Sequence, residues 1–157
     1  RRTLMDLLLW RHAEAFDARE GQSDLERALT PKGERQAQRM ADWIQRQLPA
    51  SARVLASPAR RTQQTAEALD RKFKTVAELA PGATVDALLH ACRWPDGREA
   101  VLVVGHQPTL GQAAAYLLGG HTEPWPMRKA GLWWLRCRER DGVRQVVLHA
   151  VMAPDLL

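Results

Sequence analysis

The sequence predicts an α/β fold, a three-layer sandwich with a largely parallel central sheet and an antiparallel hairpin at its C-terminal edge. Short apolar runs alternate with segments of helical periodicity over most of the chain, which is typical of parallel strands joined by crossover helices. Towards the end of the chain, two β-prone runs flank Asp141-Gly142, a pair of residues that favours a hairpin turn. The length of 157 residues, 45% of them hydrophobic, suits one domain spanning 1–157.

The first predicted strand and the first predicted helix lie on either side of a polar loop. Residues 4–10 form an apolar run broken only by Asp6, as expected of a strand that is covered on both faces. After the loop, Thr30 and Pro31 supply an N-cap and a proline in the first turn, which predicts a helix. Apolar residues then recur at the spacing of one buried helix face: Ala37, Met40, Trp43, Ile44 and Leu48.

The following elements repeat this alternation. Arg53–Ala56 predicts a second strand, and Ser57-Pro58 predicts the cap and first turn of a helix that ends near Leu69. The remaining predictions are a short strand over 75–79, a helix over 84–92, a buried strand over 100–104, a helix after Pro108, and hairpin strands over 131–137 and 143–151.

Charge and composition limit the classes of partner. The net charge is +5, but the arginines are spread along the chain and interrupted by acids, so we expect a solvated surface and no nucleic-acid partner. A positive field of this kind attracts phosphorylated substrates. No apolar run reaches the ~20 residues of a membrane helix, which predicts a cytoplasmic protein without a membrane partner. Cys92 and Cys137 are far apart and are expected to be buried apolar side chains.

Three polar segments follow three predicted strands directly. Arg11-His12 follows the first strand, the segment 57–66 follows the second, and Gly105-His106 follows the strand over 100–104. Ligands of open α/β sheets bind beyond the carboxyl ends of the strands, so we expect these segments to converge on one pocket. Arginines and histidines together suit an anion, and two arginines can each bind two oxygens of a phosphate.

Four motifs occur in order: RHAEA, LTPKG, SPARRTQQTA and VVGHQPTL. Together they resemble the histidine phosphatase (phosphoglycerate mutase-like) superfamily, and especially its SixA-type phosphohistidine phosphatases. The resemblance covers about 4–118 and implies an α/β sandwich with a phosphate pocket at the strand ends.

The resemblance implies a role for each matched residue. His12 is the nucleophile that accepts the phosphoryl group, and Arg11 binds the phosphate beside it. Arg61, four residues after the serine of the third motif, is the second phosphate-binding arginine, whereas Arg60 lies at the rim. His106 binds phosphate and stabilises charge during the transfer. These residues act without a metal ion or another cofactor.

A proton donor is the feature that the motifs lack. Some relatives carry a carboxylate directly after the second histidine, where this chain has Gln107, which we expect to contact the substrate. Glu14, Asp17 and Glu78 are the alternative donors. A site without an acid favours a substrate whose leaving group needs none, as is true of phosphohistidine.

The sequence therefore predicts a metal-independent phosphatase that forms phosphohistidine on His12. A neutral imidazole can attack phosphorus, and hydrolysis of the resulting labile intermediate divides one hard step into two easier ones. The expected substrate is phosphohistidine on a protein, a histidine-phosphotransfer protein being one candidate. Two alternatives stay open: a phosphatase of small phosphoesters, and a non-catalytic module that binds a phosphoprotein.

Overall fold

The computed structural model describes residues 2–157 and confirms the predicted α/β class. Within that range the strands are β1 (Arg2–Arg11), β2 (Arg53–Ala56), β3 (Lys74–Thr75), β4 (Val101–Gly105), β5 (Leu132–Arg140) and β6 (Val143–Met152). The helices are α1 (Pro31–Gln47), α2 (Arg60–Glu67), α3 (Val85–Cys92) and α4 (Thr109–Gly119). Short 3₁₀ segments occur at Asp24–Glu26, Ala77–Leu79 and Pro154–Leu156.

The strands form one sheet in the order β3-β2-β4-β1-β5-β6. The first four strands in this order are parallel to one another, while β5 is antiparallel to β1 and β6 is antiparallel to β5. Asp141 and Gly142 connect β5 to β6 with φ values of 53° and 76°, the left-handed conformations that a tight hairpin turn requires. The predicted parallel sheet and its edge hairpin are therefore confirmed.

Each face of the sheet carries its own apolar core. Leu8 and Trp10 point to the face covered by α1 and α2, where they join a cluster with Met40. Leu7 and Leu9 point to the opposite face and join a cluster with residues of α3 and α4. Each of these leucines is fully buried and contributes about 1.5–3 kcal/mol to the free energy of unfolding. Helices on both sides of the sheet complete the three predicted layers.

Two predicted elements differ from the observed ones. The strand expected over 75–79 is only Lys74–Thr75, because Leu79 turns into the core through the 3₁₀ segment Ala77–Leu79. The N-cap predicted at Ser57 is wrong, since α2 begins later and has Ala59 as its N-cap. The Ser57 hydroxyl instead accepts a hydrogen bond from the Ala59 N–H at 3.2 Å, a local turn that competes with helix capping.

Two further sequence predictions concern the state of the cysteines and the absence of a membrane-spanning helix. Cys92 and Cys137 are both buried and unbonded, as expected, and burial raises the pKa of the Cys92 thiol to about 12. Across residues 2–157, each helix is too short or too polar to cross a bilayer.

Candidate active site

The carboxyl ends of three parallel strands meet at one edge of the sheet. Arg11 at the end of β1 is paired with Gly105 at the end of β4, and Ala56 at the end of β2 is paired with Val104. The backbone continues this pairing by one residue, because the His12 N–H donates to the Gly105 carbonyl at 3.1 Å. The three predicted segments therefore converge, as expected from the strand order.

The two histidines of these segments lie side by side. The ring centroids of His12 and His106 are 5.3 Å apart, with 56° between the ring planes. The Nδ1 atom of His12 is 2.7 Å from the carbonyl oxygen of Ala13. Because a carbonyl only accepts, Nδ1 carries the proton and Nε2 keeps its lone pair. The local backbone thus selects Nε2 of His12 as the atom that can attack phosphorus.

The surroundings of His12 also keep its ring neutral. Burial is the largest cause that lowers its pKa, and the positive charges of Arg61, Arg11 and Arg27 lower it further. The hydrogen bond to the Ala13 carbonyl opposes them, and the resulting pKa is about 4. At neutral pH the imidazole is therefore unprotonated at Nε2 and ready to act as a nucleophile.

We expect an NMR titration to show this neutral state directly. A ring whose pKa is lowered to about 4 stays neutral as the pH falls, and becomes protonated only near that value. Two-dimensional ¹H–¹⁵N spectra of the imidazole, assigned against a His12→Gln variant, should show Nδ1–H unchanged from about pH 8 to about pH 5. A titration of His12 centred near its ordinary pKa of about 6.5 would contradict the proposed environment.

His106 is less exposed to solvent than His12 and is also neutral. Burial, the neighbouring His12 ring and the charge of Arg61 lower its pKa to about 3, against a small opposing effect of Asp24. Its Nε2 atom is 2.7 Å from the hydroxyl oxygen of Ser57. Its Nδ1 atom is buried and has no hydrogen-bond partner among residues 2–157. Ser57, predicted as a helix cap, therefore orients the second histidine of the site.

Two arginines surround the histidine pair. Arg11 donates from Nη1 to the Met127 carbonyl at 2.7 Å, and burial lowers its pKa. Arg61, which is only 4% exposed, donates from Nη1 to the Asp24 carbonyl and from Nη2 to the Asp24 carboxylate, at 2.8 and 3.0 Å. Within the described chain, the Nε atoms of both arginines are buried without an acceptor. Buried donors of this kind are costly unless an anion accepts from them.

Asp24 and Arg27 belong to the site, and sequence reasoning missed them. Arg27 donates from Nε to the Phe16 carbonyl at 2.7 Å and is 3.1 Å from the Asp24 carboxylate. Burial opposes ionisation of Asp24, but hydrogen bonds from Arg27 and Arg61 outweigh it and lower its pKa. Asp24 is therefore ionised, and it positions Arg61 rather than serving as an acid.

Gln107, which the sequence predicts as a substrate contact, is hydrogen-bonded to two neighbouring segments of the chain. Its Nε2 donates to the Trp125 carbonyl at 2.8 Å, and its Oε1 accepts from the Gly111 N–H at 2.7 Å. The Trp125 carbonyl approaches α4 so closely that a Cβ at Gly111 would lie 1.9 Å from it. Because both ends of the amide are used, these contacts favour a structural role and give no support to substrate binding by Gln107.

The alternative proton donors, Glu14, Asp17 and Glu78, are no better suited than Gln107 to protonate a leaving group. The Thr30 hydroxyl donates to the Glu14 carboxylate at 2.8 Å, and this bond, against a smaller effect of burial, lowers the pKa of Glu14. Lys32 and Lys129 lower it further. Glu14 is therefore an acceptor at neutral pH, while Asp17 and Glu78 are exposed.

The positive charge of the site comes from its arginine side chains, beside two neutral histidine rings. Over residues 2–157, no group of three or more histidine, cysteine, aspartate or glutamate side chains is arranged to hold a metal ion. Two guanidinium groups and the buried nitrogen of His106 are instead suited to the oxygens of a phosphoryl group. The arrangement can hold a phosphate next to the Nε2 atom of His12.

Comparison with known proteins agrees with this geometry. The family model for the histidine phosphatase superfamily (branch 1) matches residues 7–84. The phosphohistidine phosphatase SixA of Escherichia coli (strain K12) is 34% identical over an alignment of 129 positions, which covers 76% of this chain and 78% of that protein. A phosphohistidine phosphatase SixA homologue from Haemophilus influenzae is 29% identical over an alignment of 167 positions, gaps included, which covers 96% of this chain and 97% of that protein.

A solved structure shows the same likeness over the whole fold. The structure of the protein histidine phosphatase SixA complexed with tungstate has a TM-score of 0.79 and 27% identity, and the match covers 97% of this chain and 99% of that one. The family predicted from the four motifs is thus confirmed. The chain belongs to the histidine phosphatase superfamily, and it is a phosphatase of the SixA type.

Proposed function

We propose that the protein hydrolyses phosphohistidine on a partner protein, without a metal ion, through a covalent intermediate on Nε2 of His12. The observation that carries the proposal is the state of His12: a neutral ring, fixed at Nδ1 by the Ala13 carbonyl and placed beside two arginines. The names of the relatives from E. coli and H. influenzae support phosphohistidine as the substrate. The cytoplasmic location expected from the sequence remains a prediction.

The first step transfers the phosphoryl group between two imidazoles. Nε2 of His12 attacks phosphorus, a new P–N bond forms, and the P–N bond of the substrate breaks. When the other ring nitrogen of the substrate carries a proton, its imidazole leaves in the neutral form. Arg11, Arg61 and His106 stabilise the equatorial oxygens during the transfer, which is the main requirement of phosphoryl-transfer catalysis.

The second step uses the hydrogen bond between His12 and Ala13. Because Nδ1 keeps its proton against the Ala13 carbonyl, the ring of phosphorylated His12 carries a positive charge, and it leaves as a neutral imidazole. Water attacks phosphorus and forms a P–O bond as the P–N bond to Nε2 breaks. The protons of the water stay on the released inorganic phosphate or pass from it to solvent. The same backbone carbonyl therefore prepares the nucleophile for the first step and the leaving group for the second.

The experiment that tests this function measures phosphate release from a phosphohistidine peptide before and after treatment with EDTA. We expect multiple turnovers and an unchanged kcat/KM in EDTA, since Arg11 and Arg61 rather than a cation balance the phosphoryl charge. Activity that is lost with EDTA and restored by magnesium or zinc would refute metal independence. Tight binding of the peptide without phosphate release would refute hydrolysis and indicate a phosphoprotein-binding module.

A further inference from the structure

A basic groove lies next to the phosphate pocket, between the first half of α1 and the segment that precedes β5. Its volume is about 520 Å³. Its charged lining consists of five cations and one carboxylate: Lys32, Arg35, Arg39, Arg128, Lys129 and Asp155. All five cations are exposed, so the groove presents an excess of positive charge to solvent.

Three of the cations are without a carboxylate partner among residues 2–157 and can bind a partner with negative charge. One of the three, Arg39, donates a long hydrogen bond to the Leu157 carbonyl at 3.4 Å. Arg128 is 2.9 Å from the Asp155 carboxylate, and the Lys129 ammonium is 3.8 Å from that of Glu14. Lys32, Arg35 and Arg39 have no ion pair with a carboxylate side chain anywhere in 2–157. They occupy positions i, i+3 and i+7 of α1, which lie on one face of a helix.

The groove is joined to the catalytic segment by backbone packing. A Cβ at Gly33 would lie 2.0 Å from the Glu14 carbonyl, so α1 packs directly on the chain two residues after His12. Gln36 accepts a hydrogen bond from the Glu14 N–H at 3.0 Å. On the other side, the Ala130 N–H donates to the His12 carbonyl at 3.1 Å. The groove therefore begins beside the nucleophile rather than on a remote face.

The reach of the groove sets where a partner's charges must lie. Two extended residues span at most about 7 Å, and six residues of a helix span about 9 Å. The two spans on the path from His12 to Arg39, His12 to Glu14 and Gly33 to Arg39, therefore add up to about 16 Å. An extended peptide covers the first span with about two residues and the sum of both with about five.

We propose that this groove binds an acidic segment of the substrate protein, located two to five residues from the phosphohistidine. This inference rests on the proposed phosphatase function and adds a determinant of its substrate choice. Cations beside a catalytic pocket accelerate the encounter with an acidic partner, and such steering weakens as salt is added. None of the residues that line the groove is aromatic, so it lacks the stacking surfaces that single-stranded nucleic acids use.

The test uses two phosphohistidine peptides that differ only at four flanking positions, which carry glutamate in one and glutamine in the other. The wild-type protein is expected to hydrolyse the glutamate peptide with a kcat/KM about tenfold higher at low ionic strength, because each exposed ion pair adds a modest increment. The ratio of the two kcat/KM values, glutamate peptide over glutamine peptide, should fall towards one as salt is added. The kcat of each peptide should stay unchanged.

Matched variants locate the effect. R35E/R39E is expected to lower the ratio below one, and R35Q/R39Q to bring it close to one, while both keep wild-type kcat on the glutamine peptide. The control K72E/R98E makes the same charge change as R35E/R39E. Its two exposed residues precede β3 and β4 and so lie at the amino ends of these strands, opposite the carboxyl ends that form the site. This control should keep the tenfold preference of the wild-type protein.

The outcomes separate this inference from the function on which it rests. Equal kcat/KM values for the two peptides in the wild-type protein, or an equal loss of preference in R35E/R39E and K72E/R98E, would overturn the groove as a docking site and leave the phosphatase intact. Failure to hydrolyse either peptide would overturn the proposed function itself, and the inference with it. Inhibition by a DNA duplex that R35E/R39E abolishes, without any peptide preference, would identify a nucleic-acid surface instead.

Discussion

Replacing His12 by alanine is expected to lower kcat by a factor of about 10⁴ or more, because the change removes the Nε2 atom that forms the bond to phosphorus. Loss of His106 or Arg61 is expected to cost less, about 10²- to 10³-fold each, since these residues stabilise charge without forming a bond to phosphorus. Steady-state phosphate release from a phosphohistidine peptide gives all three values.

The control for these variants is His90→Ala, which removes an exposed histidine from the last turn of α3. Wild-type kcat in this variant, together with unchanged far-ultraviolet circular dichroism in all of them, would assign the losses to the site. Near-normal turnover in the His12→Ala variant would refute the nucleophile.

The protein is expected to hydrolyse a phosphohistidine peptide with a kcat/KM about 10² to 10⁴ times that for the matching phosphoserine peptide, the usual range of a general acid's contribution. A departing serine alkoxide is strongly basic and needs a proton donor, whereas phosphohistidine releases a neutral imidazole whose conjugate acid has a pKa of about 6.5. The carboxylates next to the site, Glu14 and Asp24, have lowered pKa values and cannot donate at neutral pH. Aryl phosphates, with better leaving groups, should lie between the two peptides.

Comparable kcat/KM values for phosphohistidine and phosphoserine peptides would show that a donor exists. In that case one of three variants, Glu14→Gln, Asp17→Asn or Glu78→Gln, should lower the rate on phosphoserine alone. The expected result is that none of the three changes the preference, since the pKa of Glu14 is lowered and Asp17 and Glu78 are exposed to solvent.

The fold could be predicted because its main elements have strong local patterns. The apolar runs of β1 and β4 are typical of buried parallel strands, and Thr30 caps α1 through a hydrogen bond from the Gly33 N–H, as its sequence indicates. Ser57 misled the prediction because a serine before a proline favours a cap, while its tertiary contact with His106 is not visible in the local sequence.

The core of the site could be predicted for a topological reason. Arg11 ends β1, His12 and His106 directly follow β1 and β4, and parallel strands bring their carboxyl ends together whatever the lengths of the connecting helices. Asp24 and Arg27 lie in a polar loop without periodicity, so their position depends on long-range contacts. The three-residue spacing of this acid and base was the available signal, since it places them together on a short helical turn.

A rapid-quench experiment with a ³²P-labelled phosphohistidine peptide reveals whether the reaction passes through phosphorylated His12. We expect label on the protein during the first turnover, stable to alkali, lost in acid and located on Nε2 of His12. The His12→Ala variant should carry no such label. First-turnover release of phosphate with no label on His12, or with label on another residue, would refute the covalent intermediate on His12.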